Sequence, residues 1–183
     1  MNDIILNNIL EDISKKDSES ALKLLYQHYF DKLMRFISIY IKSEQTSEEI
    51  ISDVFFTIWK NRKSLLEIKN FNAYIYTIAR NISIDYLRVK KIDYLQLDDI
   101  PLDIYFSTDT TPEDDMISKE LASTLDKAIN RLPNQCKIAF KLIREDKMKY
   151  KDAAEILNIS VKTLEAHITK AIKDLRNALS INV

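Results

Sequence analysis

The chain has 183 residues, 46% of them hydrophobic, enough for one ordinary domain or two small helical ones and too apolar for wholesale disorder. It contains no glycine, where average usage gives about a dozen; this excludes phosphate-cradling loops, dinucleotide fingerprints and nucleophile elbows, and it favours helices. A single cysteine, Cys136, excludes an intramolecular disulfide, and the net charge of −1 hides blocks of −4 over 1–59, +6 over 60–91, −8 over 92–116 and +5 over 117–183.

The N-terminus carries acids early and no small-residue cleavage site, unlike a secretory signal. No apolar run approaches the ~18 residues of a membrane span. A reduced, cytoplasmic protein is expected. Without glycine, any left-handed backbone position falls to Asn or Asp.

Residues 3–43 read as helical, with Leu22, Leu25, Tyr29, Leu33, Phe36 and Tyr40 at three- and four-residue steps. Thr46 with Glu49 has the form of a capping box that starts the next helix. In that helix Ile50, Ile51, Val54 and Ile58 share an inner face, while Phe56 and Trp59 point away from it. Two readings stand: a docking surface, or a bundle that surrounds this helix.

Residues 71–90 form an amphipathic helix with Phe71, Tyr74, Ile75, Ile78, Ile82, Tyr86 and Val89 as its apolar side. Thr77, Arg80, Asn81, Ile84 and Arg88 gather on another face. Arginine binds phosphate and asparagine can read base edges, so this face suits nucleic acid; a plain solvated face has the same composition. Residues 92–116 break the helical period and hold eight acids, the mark of an interdomain linker. Its apolar residues (Leu95, Leu97, Ile100, Leu102, Ile104, Tyr105, Phe106) are too many for a plain tether. Thr111 and Pro112 have the form of a helix start, and Leu132-Pro133 breaks the helix that follows.

From Lys149 to Leu179 a short helix, a tight turn at Asn158-Ile159-Ser160 and a longer helix have the plan of a helix-turn-helix. Ala153, Ala154 and Leu157 form a small inner face; Asn158 suits a left-handed turn and Ser160 an N-cap. The second helix buries Val161, Leu164, Ile168, Ala171, Ile172, Leu175 and Leu179 in this reading. Lys162, Thr163, Ala166 and His167 are placed to reach base edges, and Lys170 and Lys173 to reach phosphates. His167 reads as a polar contact rather than a metal ligand, since the only other histidine is His28. No metal site, cofactor, nucleophile–base pair or small-molecule substrate site is visible, so an enzyme is not expected. The motif by itself does not separate a stand-alone regulator from a polymerase subunit, or from a protein-interaction module that has lost DNA binding.

Taken together, the segments EEIISDVFFTIWKNR (48–62), YIYTIARNISIDYLR (74–88) and LPNQCKIAFKLIREDKMKYKDAAEILNISVKTLEAHITKAIKDLR (132–176) give the chain a further meaning. In order and spacing it resembles bacterial sigma factors of the extracytoplasmic-function (ECF) group, and in wording their Bacteroidetes branch. The resemblance implies an all-α protein of two small helical domains, 1–91 and 112–183, joined by an acidic linker at 92–111. It implies core RNA polymerase and promoter DNA as partners, with an anti-sigma factor, commonly membrane-anchored, as inhibitor. Asp53, Phe56 and Trp59 would belong to the core-binding surface. Thr77, Arg80, Asn81, Ile84 and Arg88 would face the −10 strand, with Asn81 at a flipped base. Lys162, Thr163, Glu165, Ala166, His167, Lys170 and Lys173 would lie over the −35 duplex. The linker would thread basic channels of the polymerase. Lys147 and Asn158 stand where the family often has glycine, and the family's frequent recognition-helix arginines are absent.

Overall fold

The computed structural model describes residues 2–89 and 124–180, and every regular element among them is helical. Two compact units divide the chain.

In the first, α1 spans Asp3–Lys16 and α2 spans Glu19–Ile37. The stretch 3–43 is therefore two helices and a turn rather than one helical run. The break has a local cause: Asp17 takes a left-handed conformation (φ 51°), and Ser18 then accepts from the Ala21 N–H at 3.2 Å as a new N-cap. Helix α3 spans Glu44–Lys60 and starts earlier than the capping-box reading places it. Ser43 is the cap, accepting from the Thr46 N–H at 3.3 Å, so Thr46 already lies inside the first turn. A 3-10 segment, Arg62–Glu67, leads to α4, Phe71–Val89, whose first turn is held by Asn70 Oδ1 accepting from the Ala73 N–H at 3.1 Å.

Leu25, Tyr29, Leu33 and Phe36 of α2 are buried, as are Ile50, Ile51, Val54 and Ile58 of α3, the inner face read from the sequence. Helix α4 corrects the sequence reading. Its buried residues are Phe71, Ala73, Ile75, Tyr76, Ala79, Ser83 and Leu87. Tyr74, Ile78, Ile82 and Tyr86 are only half-buried, and Val89 is 84% exposed. The helix is turned so that Ala73, Ala79 and Ser83 face inward. Small residues allow close helix approach, and the Ser83 hydroxyl donates to Ala79 O at 2.7 Å, so its burial leaves no unmet donor. Aromatic side chains bridge the helices: Phe36 with Tyr76 (5.0 Å between centroids), Tyr29 with Phe71 (5.9 Å) and Tyr26 with Phe55 (4.8 Å). Helix α1 packs on α2 and on the 3-10 segment.

Later in the chain the described part of α5 is 124–130; α6 spans Asn134–Arg144, α7 Tyr150–Leu157 and α8 Val161–Ser180. Helices α6 and α8 pack together. Ala128, Ile129, Leu132, Cys136, Ala171 and Leu175 make a small core, flanked by Phe140 and Ala178. Ala153, Ala154 and Leu157 are buried as read, and so is Ile156. Val161 is not: it is 40% exposed at the first position of α8, because the inward register of that helix runs through Leu164, Ile168, Ala171 and Leu175. Ile172 is half-buried, and the Leu179 side chain lies outside the described residues. Asn158 takes the left-handed turn (φ 55°), as its position predicts. Lys147 does too (φ 53°), so a left-handed corner here falls to a residue other than Asn or Asp. Linker residues 92–111, with Thr111 and Pro112, lie outside the described residues.

Candidate nucleic-acid and docking surfaces

On α4, Thr77, Arg80, Asn81, Ile84 and Arg88 lie on one face, which adjoins the buried stripe. Asn81 and Arg88 are exposed; the other three are half-buried. Arg80 Nη1 donates to Asn81 Oδ1 at 3.4 Å, so the two polar heads already stand side by side. Arg88 reaches Asp85 at 3.2 Å, an exposed pair of little energetic weight that a phosphate can displace. The Thr77 hydroxyl donates to Ala73 O at 2.8 Å, which leaves mainly its methyl and a lone pair for a ligand.

The N-terminus of this helix is anchored from α2. The Tyr29 hydroxyl donates to Asn72 Oδ1, and burial pushes the phenol well above its ordinary pKa, so it remains a donor. Beside it His28 Nε2 lies 3.0 Å from Lys32 Nζ; burial first, then the Lys32 charge, lowers the pKa of that imidazole.

On α8 the exposed face opposite Leu164, Ile168, Ala171 and Leu175 carries Lys162, Ala166, Lys170 and Lys173 in one stripe. Thr163 and His167 sit on one flank, and exposed Glu165 on the other. Ser160 caps the helix by accepting from the Thr163 N–H at 3.0 Å, and the two hydroxyls are 2.8 Å apart. Thr163 thus faces a ligand already oriented. His167 is turned partly inward: its Nδ1 is 3.8 Å from the buried Cys136 Sγ. Only the other edge of that ring remains open to a ligand, a restriction that no local pattern signals.

On α3, Asp53 and Phe56 are exposed, Phe56 by 67%, and Trp59 is half-buried on the flank of the same face. Sequence reading missed what covers Trp59. The Arg62 guanidinium carbon lies 4.6 Å from the indole centroid, and Arg62 Nη1 donates to Trp59 O at 3.0 Å. Arg62 Nε pairs with Asp17, whose carboxyl the Arg62 and Lys63 cations hold below its usual pKa. A WxxR spacing is the one local signal for the stack; nothing local points to Asp17.

No helix among the described residues is long and apolar enough to cross a membrane. Two family models match the chain where these surfaces lie: Sigma-70 region 2 over residues 25–91 and Sigma-70, region 4 over residues 123–175. The chain belongs to the sigma-70 family. Full-length relatives narrow this: the ECF RNA polymerase sigma factor SigW of Bacillus subtilis is 28% identical over 90% of this chain and 92% of its own. The ECF RNA polymerase sigma-E factor of Haemophilus influenzae is 26% identical over 93% of each. Two solved structures share the fold. CnrH in complex with the cytosolic domain of CnrY has a TM-score of 0.62 at 18% identity, over 97% of this chain and 99% of that one. The sigma factor RpoE in complex with the anti-sigma factor NepR from Bartonella quintana has 0.65 at 19%, over 88% and 98%. The chain is an ECF-type sigma factor, and its function is promoter-specific transcription initiation.

Proposed function

We propose that the chain binds core RNA polymerase through Asp53, Phe56 and Trp59 and reads a two-part promoter with its two basic faces. Residues 1–91 would form the region 2-like domain and 112–183 the region 4-like domain, with 92–111 as the acidic linker. Arg80, Asn81 and Arg88, with Thr77 and Ile84 beside them, would engage the opened −10 strand. Lys162, Thr163, Ala166 and Lys170 would face the −35 duplex, with Lys173 on phosphate; Glu165 and His167 flank that stripe. The observation that carries the reading is the pair of faces, the half-exposed one with Arg80, Asn81 and Arg88 on α4 and the exposed lysine stripe on α8, each inside the segment matched by its own sigma region. As a specificity subunit the protein performs no covalent step and needs no cofactor.

The complexes with CnrY and NepR support an anti-sigma partner for this chain as well. A membrane-anchored form of that partner, a cytoplasmic setting and a Bacteroidetes source extend the reading. The test is co-elution with sigma-free core polymerase followed by promoter opening. Arg80→Ala and Asn81→Ala should each lower open-complex formation and leave core binding intact. Unchanged melting in both variants would remove the −10 assignment; tight, specific duplex binding without polymerase would favour a stand-alone regulator.

A further inference from the structure

Four side chains meet at the edge of the α3 surface: Asp17 from the end of α1, and Trp59, Arg62 and Lys63 from the end of α3 and the segment after it. Arg62 engages Trp59 twice, by stacking at 4.6 Å and by its Nη1 bond to the Trp59 carbonyl at 3.0 Å. Its Nε is taken by Asp17, which comes from the end of α1, 45 positions earlier. Lys63 joins the same carboxylate, with Nζ 3.0 Å from Oδ2, and also donates to Ser14 O at 3.1 Å. The planar guanidinium is therefore fixed in three directions, which a lysine at this position does not reproduce. One face of the indole is covered while Phe56, one turn earlier, stays 67% exposed.

We propose that Asp17 and Arg62 are positioning residues for the docking surface: they hold the Trp59 indole in the orientation that the polymerase meets. This rests on the reading of Trp59 as a docking residue. An indole fixed before binding loses less freedom on association than one that must be ordered by the partner. The backbone supplies a clean way to separate this role from folding. Asp17 sits at φ 51°, a conformation glycine adopts without cost. Asp17→Gly therefore eases the turn and removes only the carboxylate.

Trp59 is the one tryptophan in the chain, so its emission reports the clamp directly. In full-length Asp17→Gly and Arg62→Lys, far-UV circular dichroism should be unchanged. Trp59 emission should move to longer wavelength and acrylamide should quench it more strongly. Affinity for core polymerase should fall about three- to tenfold, the scale of a lost cation–π contact and of re-ordering one aromatic side chain. Placed on top of Trp59→Ala, Asp17→Gly should add less than about twofold, because its effect passes through that ring. Asp17→Asn, which tolerates the same turn, serves where the glycine variant loses helix. If Trp59→Ala weakens the complex and the Asp17 and Arg62 variants bind core like the parent, the positioning role is wrong. It is equally wrong if Asp17→Gly weakens Trp59→Ala as much as it weakens the parent. If Trp59→Ala binds core at full strength, the docking reading falls and the inference with it, whatever the emission shows.

Discussion

The two units reach a stable core by different routes. The first is built on rings: Tyr29, Phe36, Phe55, Phe71 and Tyr76 are all buried and bridge its helices, and α1 is tied down by Asp17 with Arg62 and Lys63. The second buries no aromatic ring among its described residues: Ile129, Leu132, Ile138, Leu142, Leu164, Ile168 and Leu175 fill it, with alanines between them. Ala128, Ala139, Ala153, Ala154 and Ala171 are all buried, and Lys137 lies fully inside, its Nζ donating to Asn130 O at 2.8 Å. Large rings make a broad, stiff platform on which α4 can present a preset polar face. Alanines among aliphatic side chains let helices come close and leave no room for a larger side chain at those positions. The first unit should therefore suffer most from deletion, and the second from insertion.

The sharpest test of that contrast is Phe36→Ala. Emptying an aromatic site in the first core should cost about 3–5 kcal/mol, read as a drop in the urea midpoint. Ala171→Leu is its counterpart: overpacking the second core should cost about 1–3 kcal/mol, whereas a neutral result would show that the α6–α8 contact has room to spare. Tyr29→Phe keeps the ring and removes only the bond to Asn72, so it should cost about 1 kcal/mol; α4 amides near Asn72 should report the change by NMR. The smallest effect is a slope. Burial lowers the pKa of Lys137 from its ordinary value of 10.5, so the unfolded chain holds that proton more tightly than the folded one. Stability from this group should then rise with pH between the lowered value and 10.5, once other titrations are subtracted. Lys137→Met should flatten that slope in urea titrations run across alkaline pH, and an unchanged slope would show that Lys137 is not its source.

Much of the architecture was legible because helix signals are local. The inner face of α3, the Asn158 turn and the Ser160 cap follow from neighbours within a few residues. The face of α4 was not legible, because Ile78, Ile82 and Val89 outrank Ala79 and Ser83 in hydrophobicity. What decides the matter is how close α2 and α3 come, and that distance is not written in α4. The break at Asp17 is hidden for a related reason: without glycine, the stop is carried by a residue that also suits a helix surface. The polar stripes on α4 and α8 were readable as patterns. The inward turn of His167 toward Cys136 and the Asp17 carboxylate that anchors Arg62 over Trp59 depend on partners 31 and 45 positions apart, beyond any periodicity.

The two left-handed corners at Lys147 and Asn158 have a consequence for motion. They flank α7, and each closes the helix before it: Met148 N–H donates to Leu142 O at 2.9 Å at the end of α6, and Ile159 N–H donates to Ala154 O at 3.0 Å at the end of α7. An eight-residue helix has little cohesion of its own. Its C-terminus is latched by its own corner, so it should open as a single cooperative panel rather than fray from that end. In hydrogen-exchange experiments its amides should then share one rate, set by release of the Ile159 N–H from Ala154 O.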